Sequence, residues 1–314
     1  MSKKDIAKVA YYYYKQDLIQ REIAEKMNFS RQKVNRMLKK ALEENIVEIK
    51  INGYEEFDLH LEHLLENKYN LYNTIVVKNN VGENAIGIAA SNYLNSLIDE
   101  NIENKGECDI GISWGHALSN LTRNYQVKDR ECPNIKVIQL IGGINTSDTS
   151  ITPEEITNRL ALLLGGKSYN LFAPALVNNV ELIDMLYKEE YYRKVLTKYH
   201  DLDISIVGIG ELKESSSIVK YGHIDKEEVL KLRSKGGVGD VTFRVFNSAG
   251  EIVDKNFDAA VMGIGKKEIL NIPLRIGIAY GAEKVEAIKG AIKGNFINIL
   301  ITDDVTAEGI LELE

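Results

Sequence analysis

"LRIGIAYGAEKVEAIKGAIKGNFINILIT", residues 274–302, reads as a strand, a glycine turn, a helix and a second strand. The outer runs are apolar nearly throughout, which suits strands buried on both faces of a parallel sheet. Four earlier runs share that character: "TIVVK" (74–78), "DIGIS" (109–113), "IKVIQLI" (135–141) and "LDISIVGIG" (202–210). Helical stretches alternate with them, so the spacing predicts an α/β body, Rossmann-like, with a mainly parallel sheet flanked by helices. "VTFRVFNSAGEIVD" (241–254) differs: two alternating stretches flank Asn-Ser-Ala-Gly, predicting an antiparallel hairpin near one edge. "ESSS" (214–217) is the most loop-like stretch and a candidate mobile cover.

Ligands of such sheets sit beyond the carboxyl ends of the strands. Three strand ends carry glycine turns: "GISWGHAL" through Gly115, "QLIGGINTS" at Gly142 and Gly143, and "IAYGAEK" at Gly281, with Lys284 in the first helical turn. Glycine lets backbone N–H groups approach an anion, a helix N-terminus adds partial positive charge, and Lys284 adds a full one. Each turn has a purely structural reading as well, and for Gly142-Gly143 the two readings weigh equally. Other motifs fail. "LLLGGKS" (162–168) lacks the first glycine of a phosphate loop, having Ala161 there, and follows a helix rather than a strand. "HLEHLLE" (60–66) spaces its histidines at i, i+3, unlike a zinc helix, and fits a solvated helix face. Asp303 and Asp304 follow a strand and are expected to cap the next helix, and no spacing supports a Ser-His-Asp or Cys-His arrangement.

The first 53 residues are of another kind. They hold 12 Lys+Arg against 7 Asp+Glu, a net +5, which leaves 27 against 39, a net −12, for residues 54–314. A basic unit joined to an acidic body implies a polyanionic partner for the basic part alone. Periodicity predicts three helices there. Ile6, Val9, Ala10 and Tyr13 form one stripe; "QREIAEKM" (20–27) turns Ile23, Ala24 and Met27 to one side; the third begins at Arg31 behind the N-cap Ser30. Asn28 suits the tight turn between the second and third, small Ala24 permits a close helix crossing, and Asp17 is the expected cap of the second helix because Ile19 cannot serve. Val34, Met37, Leu38 and Ala41 face inward, while Gln32, Asn35, Arg36 and Lys39 share the opposite face. This is a helix-turn-helix layout with a recognition face: Arg pairs with guanine, Asn and Gln with adenine, and Lys33, Lys39 and Lys40 meet phosphates. The bland alternative is a solvated helix of a three-helix bundle. "NIVEIKI" (45–51) alternates and predicts a short strand, or wing; "NGYEEF" (52–57) reads as the linker and "DLHLEHLLENKYNL" as the helix that begins the body.

Totals bound the class. A chain of 314 residues, 44% apolar and 27% charged with four prolines, is expected to fold as two soluble domains, 1–53 and 54–314. Its start has charges threaded through it, unlike a signal peptide, and its longest apolar stretches fall far short of the ~20 residues of a membrane span. Cys108 and Cys132 lack any CxxC spacing and are expected to be reduced thiols of a cytoplasmic protein.

The whole chain resembles the SorC/DeoR family of bacterial sugar-responsive transcriptional regulators. The resemblance rests on "YY…QREIAEKMNFSRQKVNRML…NIVEIKI" and, in the body, on "GISWGHAL", "VIQLIGG", "VGIGEL", "GVGDVTFRVFNSAG" and "IAYGAEKVEAIKGAI…NILITDDVTA". It implies an N-terminal DNA-binding domain in which Ser30, Arg31, Gln32, Lys33, Asn35, Arg36, Lys39 and Lys40 meet operator DNA. It also implies an effector domain similar in fold to sugar-phosphate isomerases, through which members assemble as dimers or tetramers. Carried over, the effector cradle is Ser113, Trp114, Gly115, His116, Ala117 and Leu118, with Gly142, Gly143, Gly281 and Lys284, and Asp240 accepts from sugar hydroxyls. Two departures stand out. His116 and Ala117 occupy a place where the family often has Thr, and Ile141 one where some members have Lys or Arg. Ile141 removes a second phosphate clamp and any amine for a Schiff base, which disfavours a bisphosphate and leaves a monophosphate, a sugar or a polyol. The expected function is a non-enzymatic regulator of a carbohydrate operon, needing no cofactor or metal, with operator DNA, a sugar-like effector and its own copies as partners and no membrane. The rival is a sugar-phosphate isomerase or deaminase with an appended DNA-binding domain and Asp240 as its base.

Overall fold

The computed structural model describes residues 2–313 apart from 51, 83, 131–133, 144–151, 221 and 223. The chain divides into two compact units, residues 1–55 and 56–314.

In the first unit, α1 (Lys3–Gln16), α2 (Gln20–Met27) and α3 (Arg31–Glu43) share a core of Ile6, Val9, Ala10, Ile23, Ala24, Val34, Met37, Leu38 and Ala41. Asn28 adopts the left-handed conformation (φ 52°) between α2 and α3, and the Ser30 hydroxyl accepts the Lys33 N–H at 3.2 Å, as the sequence predicts. Three local expectations are corrected. Tyr13 is 37% exposed, because the stripe of α1 ends in solvent beyond Ala10. Asp17 does not cap α2; it closes α1 in a left-handed conformation (φ 52°), and the Glu22 carboxylate instead accepts the Ile19 N–H at 3.0 Å. "NIVEIKI" is no strand among its described residues. Asn45 (φ 53°) turns the chain back, and the Ile46 and Val47 N–H groups both bond the Ala41 carbonyl, finishing α3. Ile46 and Val47 pack on the core, Ile49 is left 59% exposed, and among the described residues of this unit no second strand pairs with the segment; Ile51 lies outside the described residues.

The second unit opens with α4 (Leu59–Tyr69), β1 (Asn73–Val77), α5 (Ala85–Lys105), β2 (Glu107–Ile112), α6 (His116–Arg123), β3 (Asn134–Gln139), α7 (Pro153–Leu163) and β4 (Lys167–Tyr169). It continues through α8 (Val180–Lys188), α9 (Glu190–Lys198), β5 (Ile204–Gly208), β6 (Gly210–Glu211), α10 (Ser217–Lys220), α11 (Lys226–Ser234), β7 (Gly239–Val241) and β8 (Arg244–Phe246). It ends with α12 (Lys255–Ala259), α13 (Lys266–Asn271), β9 (Leu274–Ile278), α14 (Val285–Lys293), β10 (Ile299–Asp303) and α15 (Asp304–Glu312). Seven strands form one parallel sheet in the order β1-β10-β9-β5-β2-β3-β4. The six apolar runs all supply strands. The seventh, β4, escaped notice because Lys167 and Ser168 are exposed at the sheet edge and carry no apolar run.

Alternation along each strand builds two cores. In β10, Ile299 and Ile301 join the layer under α5, α6 and α7, while Leu300 joins the layer under α4, α9, α14 and α15. The edge strand β1 is tied to α4 by carboxylates: Glu62 accepts the Val76 N–H and Glu66 the Thr74 N–H, each at 2.9 Å. The 241–254 stretch forms the expected hairpin only in part: antiparallel bonds flank Asn247–Gly250, with the Asn247 N–H on the Glu251 carbonyl at 2.9 Å and the Val253 N–H on the Val245 carbonyl at 3.1 Å. Thr242 and Phe243 both have positive φ (49° and 61°), so the tight turn falls there, between β7 and β8, and breaks the first alternating run. Asn247–Gly250 makes a second turn closed by one bridge, Phe246 to Ile252. With β6 these strands form a separate three-stranded antiparallel sheet.

Cys108 is a free, buried thiol whose pKa burial pushes up to about 12; Cys132 lies outside the described residues. Among the described residues no helix is long and apolar enough to cross a membrane, and no group of three or more His, Cys, Asp or Glu is arranged to hold a metal ion.

Candidate effector site and helix-turn-helix surface

Leaving β2, the chain steps through β3 to β4 toward one edge; leaving β5, it steps through β9 to β10 toward the other. The crevice between the carboxyl ends of β2 and β5 is therefore the topological switch point, where open α/β sheets bind ligands. A cavity of about 100 Å³ lies there, walled by Ser113–Ala117 after β2, Gly208–Glu211 at the end of β5, Asp240, Thr242 and Phe243 of the small sheet, Ser216, Ile218 and Lys284. A water needs about 10–15 Å³ on that scale, so the space suits a ligand of roughly seven to ten water-sized groups.

Gly115 (φ 129°) makes the turn from β2 into α6, a backbone shape that L side chains rarely adopt. Ser113 is buried and its hydroxyl accepts the Gly208 N–H at 3.3 Å, tying the two strand ends together. Trp114 meets Phe243 edge-on at 5.9 Å, so one side of the cavity is aromatic. Asp240 is 8% exposed; one carboxylate oxygen accepts the Phe243 N–H at 3.0 Å. Burial, opposed by that bond and by the charge of Lys284, raises its pKa from 3.8 to about 6. His116 is held below its ordinary pKa, first by burial and then by Lys220, Lys284 and Arg123, which favours the neutral ring. The Lys284 backbone N–H bonds the Gly281 carbonyl at 2.9 Å, while its side chain makes no ion pair or hydrogen bond among the described residues, so the cavity that holds buried Asp240 also has a cation to receive an anion.

Of the sequence-expected effector residues, Ser113, Trp114, Gly115, His116, Ala117, Asp240 and Lys284 share this cavity. Four do not line it. Leu118 is fully buried in the core beneath α6. Gly142 and Gly143 give their N–H groups to the Met262 and Ala173 carbonyls at 2.9 and 2.7 Å, and a Cβ at 142 would stand 2.4 Å from the Pro174 carbonyl oxygen. Packing against backbone demands glycine at 142, whereas a Cβ at 143 would meet only the end of the Glu154 side chain, at 2.5 Å. Gly281 gives its N–H to the Thr306 hydroxyl at 2.8 Å, leaving Lys284 to represent that turn. Asp303 and Asp304 act as expected of caps, accepting backbone N–H groups of Thr306 and Val305. Sequence reading missed Gly208, Gly210, Glu211, Thr242 and Phe243. The glycines of "VGIGEL" were the available signal, whereas the turn at Thr242-Phe243 left none. Ser216 and Ile218, in and just after "ESSS", belong to the wall.

On α3, Arg31, Gln32, Asn35, Arg36 and Lys39 are exposed on one face. Lys33 lies over the Phe29 ring at 3.5 Å, and Lys40 pairs with Glu44 at 3.3 Å. Both therefore have partners inside the unit, and Ser30 is committed to the cap.

A helix-turn-helix unit and an α/β domain with a polar cavity at its switch point are the parts of an effector-controlled transcriptional regulator. Residues 55–312 match the family model described as "Putative sugar-binding domain". The chain belongs to that family, and within it to the SorC/DeoR regulators. It is similar to the crystal structure of the full-length sorbitol operon regulator SorC from Klebsiella pneumoniae, at 28% identity and a TM-score of 0.74 over 98% of both chains. It is 28% identical to the deoxyribonucleoside regulator of Bacillus subtilis over 96% of this chain and 95% of that one. It is 29% identical to the transcriptional regulator LsrR of an Enterobacter strain over 98% and 93%.

Proposed function

We propose that this chain binds an operator of a carbohydrate-utilisation gene cluster through α3, and that a sugar, polyol or sugar monophosphate in the β2–β5 cavity sets its affinity. The observation that carries the effector half is that the Lys284 ammonium and the buried Asp240 carboxylate share one cavity wall: the first suits an anion, the second hydroxyl groups. Two relatives are named for polyhydroxylated compounds, sorbitol and deoxyribonucleosides, which supports the same class. Arg36 and Gln32, with Asn35, read base edges; Arg31 and Lys39 hold phosphates. Copies of the chain associate through the second unit into dimers or tetramers in the cytoplasm, because one small unit contacts few bases and paired half-sites multiply the binding. An effector that favours one arrangement of the assembly shifts the DNA-bound population, and a coupling of ~1–3 kcal/mol changes operator affinity roughly 5–150-fold.

The test is thermal stability of the full-length chain against sugars, polyols and their phosphates. A ligand at ~100 times its Kd adds roughly 2.7 kcal/mol to folding. A phosphorylated hit lost in Lys284→Ala supports the reading; a hit confined to neutral compounds and unaffected by Lys284→Ala removes the phosphate role. Turnover of a sugar phosphate that disappears in Asp240→Asn would replace the regulator reading of this cavity with an enzymatic one.

A further inference from the structure

A second and larger cavity, about 480 Å³, opens beyond the carboxyl ends of β1, β10 and β9. It is separate from the switch point, and among the described residues its wall meets that of the first cavity only at His116. Its lining is unusually rich in carboxamides, each of which offers both donors and acceptors to hydroxyl groups. Asn124 donates to Asn120 at 2.5 Å and to Asn84 at 3.3 Å, which ties the end of α6 to the start of α5. The helices approach so closely that a Cβ on Gly87 would stand 2.7 Å from the Asn120 side-chain oxygen, so this wall is preformed.

Charge adds a direction. The Arg123 side chain, at the end of α6, is exposed and makes no ion pair or hydrogen bond among the described residues; Lys78, after β1, also lines the cavity and has a partner of its own. The carboxylate in the described lining, Asp303, is buried and accepts the Thr306 N–H at 2.6 Å as the cap of α15. Nothing in the effector reading uses this space.

We propose that the cavity is a second small-molecule site of the domain, taking a hydroxyl-bearing organic anion whose charge is held by Arg123. The site does not depend on the effector reading of the first cavity.

Calorimetric titration of the full-length chain with glycerol 3-phosphate, and with glycerol as its neutral counterpart, tests it. The expected result is binding that Arg123→Gln weakens about tenfold or more, the loss of a charge-assisted bond, and that Lys284→Ala leaves in place. Asn84→Asp, which puts a negative charge into the wall, is expected to weaken the same binding; each variant is checked for an unchanged melting temperature. Glycerol 3-phosphate binding that is wholly lost in Lys284→Ala and indifferent to both Arg123→Gln and Asn84→Asp would overturn the proposal, as would no binding at all. Glycerol binding equally well would overturn the anion. Binding lost in Arg123→Gln but indifferent to Lys284→Ala sustains this site whatever Lys284 does in the first cavity, because Lys284 lines only that one.

Discussion

Gly210 and Asp240 face each other across the β6–β7 pair, and a Cβ at 210 would stand 2.2 Å from a carboxylate oxygen of Asp240. The missing side chain at 210 is what lets the acid lie down into the cavity. Asp240 cannot simply swing aside, since its other oxygen holds the Phe243 N–H. Gly210→Ala is therefore expected to cost about 1–3 kcal/mol of stability, as overpacking does. It is also expected to abolish ligand-induced stabilisation while operator binding without ligand persists. Denaturant unfolding and a ligand-dependent melting series read the two effects separately.

Asp240 also gives a pH dependence with a definite sign. Its folded pKa of about 6 lies above its ordinary 3.8, so the folded state binds this proton more tightly than the unfolded one. The contribution is fully present below pH about 4 and is lost as pH rises through about 6, a change on the order of 1–3 kcal/mol. Asp240→Asn is expected to flatten the stability profile between pH 4 and 7 relative to the parent. Ligand affinity moves the other way, weakening as pH falls through about 6, because the acid then loses its acceptor-only form. Chemical unfolding and titration across that range check both signs.

Gly142→Ala separates packing from binding. Its Cβ would meet the carbonyl oxygens of Pro174 and Ala173 at 2.4 and 2.6 Å, backbone atoms that cannot yield cheaply. The expected outcome is general destabilisation or loss of soluble protein, with no selective change in ligand response of whatever folds. A well-folded variant that has lost only ligand binding would return Gly142 to the effector site.

On α3, Arg36→Ala or Gln32→Ala is expected to cost ~1–3 kcal/mol on the operator with little change on random DNA. Lys33→Ala and Lys40→Ala are expected to act weakly and equally on both, because these lysines already engage Phe29 and Glu44. Ser30→Ala is expected to remove about 1 kcal/mol from the first unit through its cap, visible in its melting before any DNA is added. Fluorescence anisotropy on operator and scrambled duplexes provides the comparison.

Local signals in the sequence carried far. Periods near 3.6 and apolar runs located α1–α3 and six of seven sheet strands, because those elements bury one face or both and so leave a pattern. The failures share a cause. β4 and the three-stranded sheet are too short for periodicity, and their pairing is settled by distant partners. The wing reading mistook the closing turn of α3 for a strand, since Ile46 and Val47 are apolar for the helix core's sake.

The candidate site divides in the same way. Ser113–Ala117 and Lys284 were legible because glycine turns after strands leave a signature. Gly142 carries the same signature where backbone packing also requires glycine, a requirement that only the tertiary fold reveals. By itself the sequence determined a basic helix-turn-helix unit, a parallel α/β body and the residues at its strand ends, all properties of neighbours along the chain. Tertiary structure decided that the cavity holding Asp240 and Lys284 lies at the β2–β5 switch point, and that His116 lines both that cavity and a second one. Those relations depend on strand order, and parallel strands pair across long crossovers whose destination no local pattern encodes.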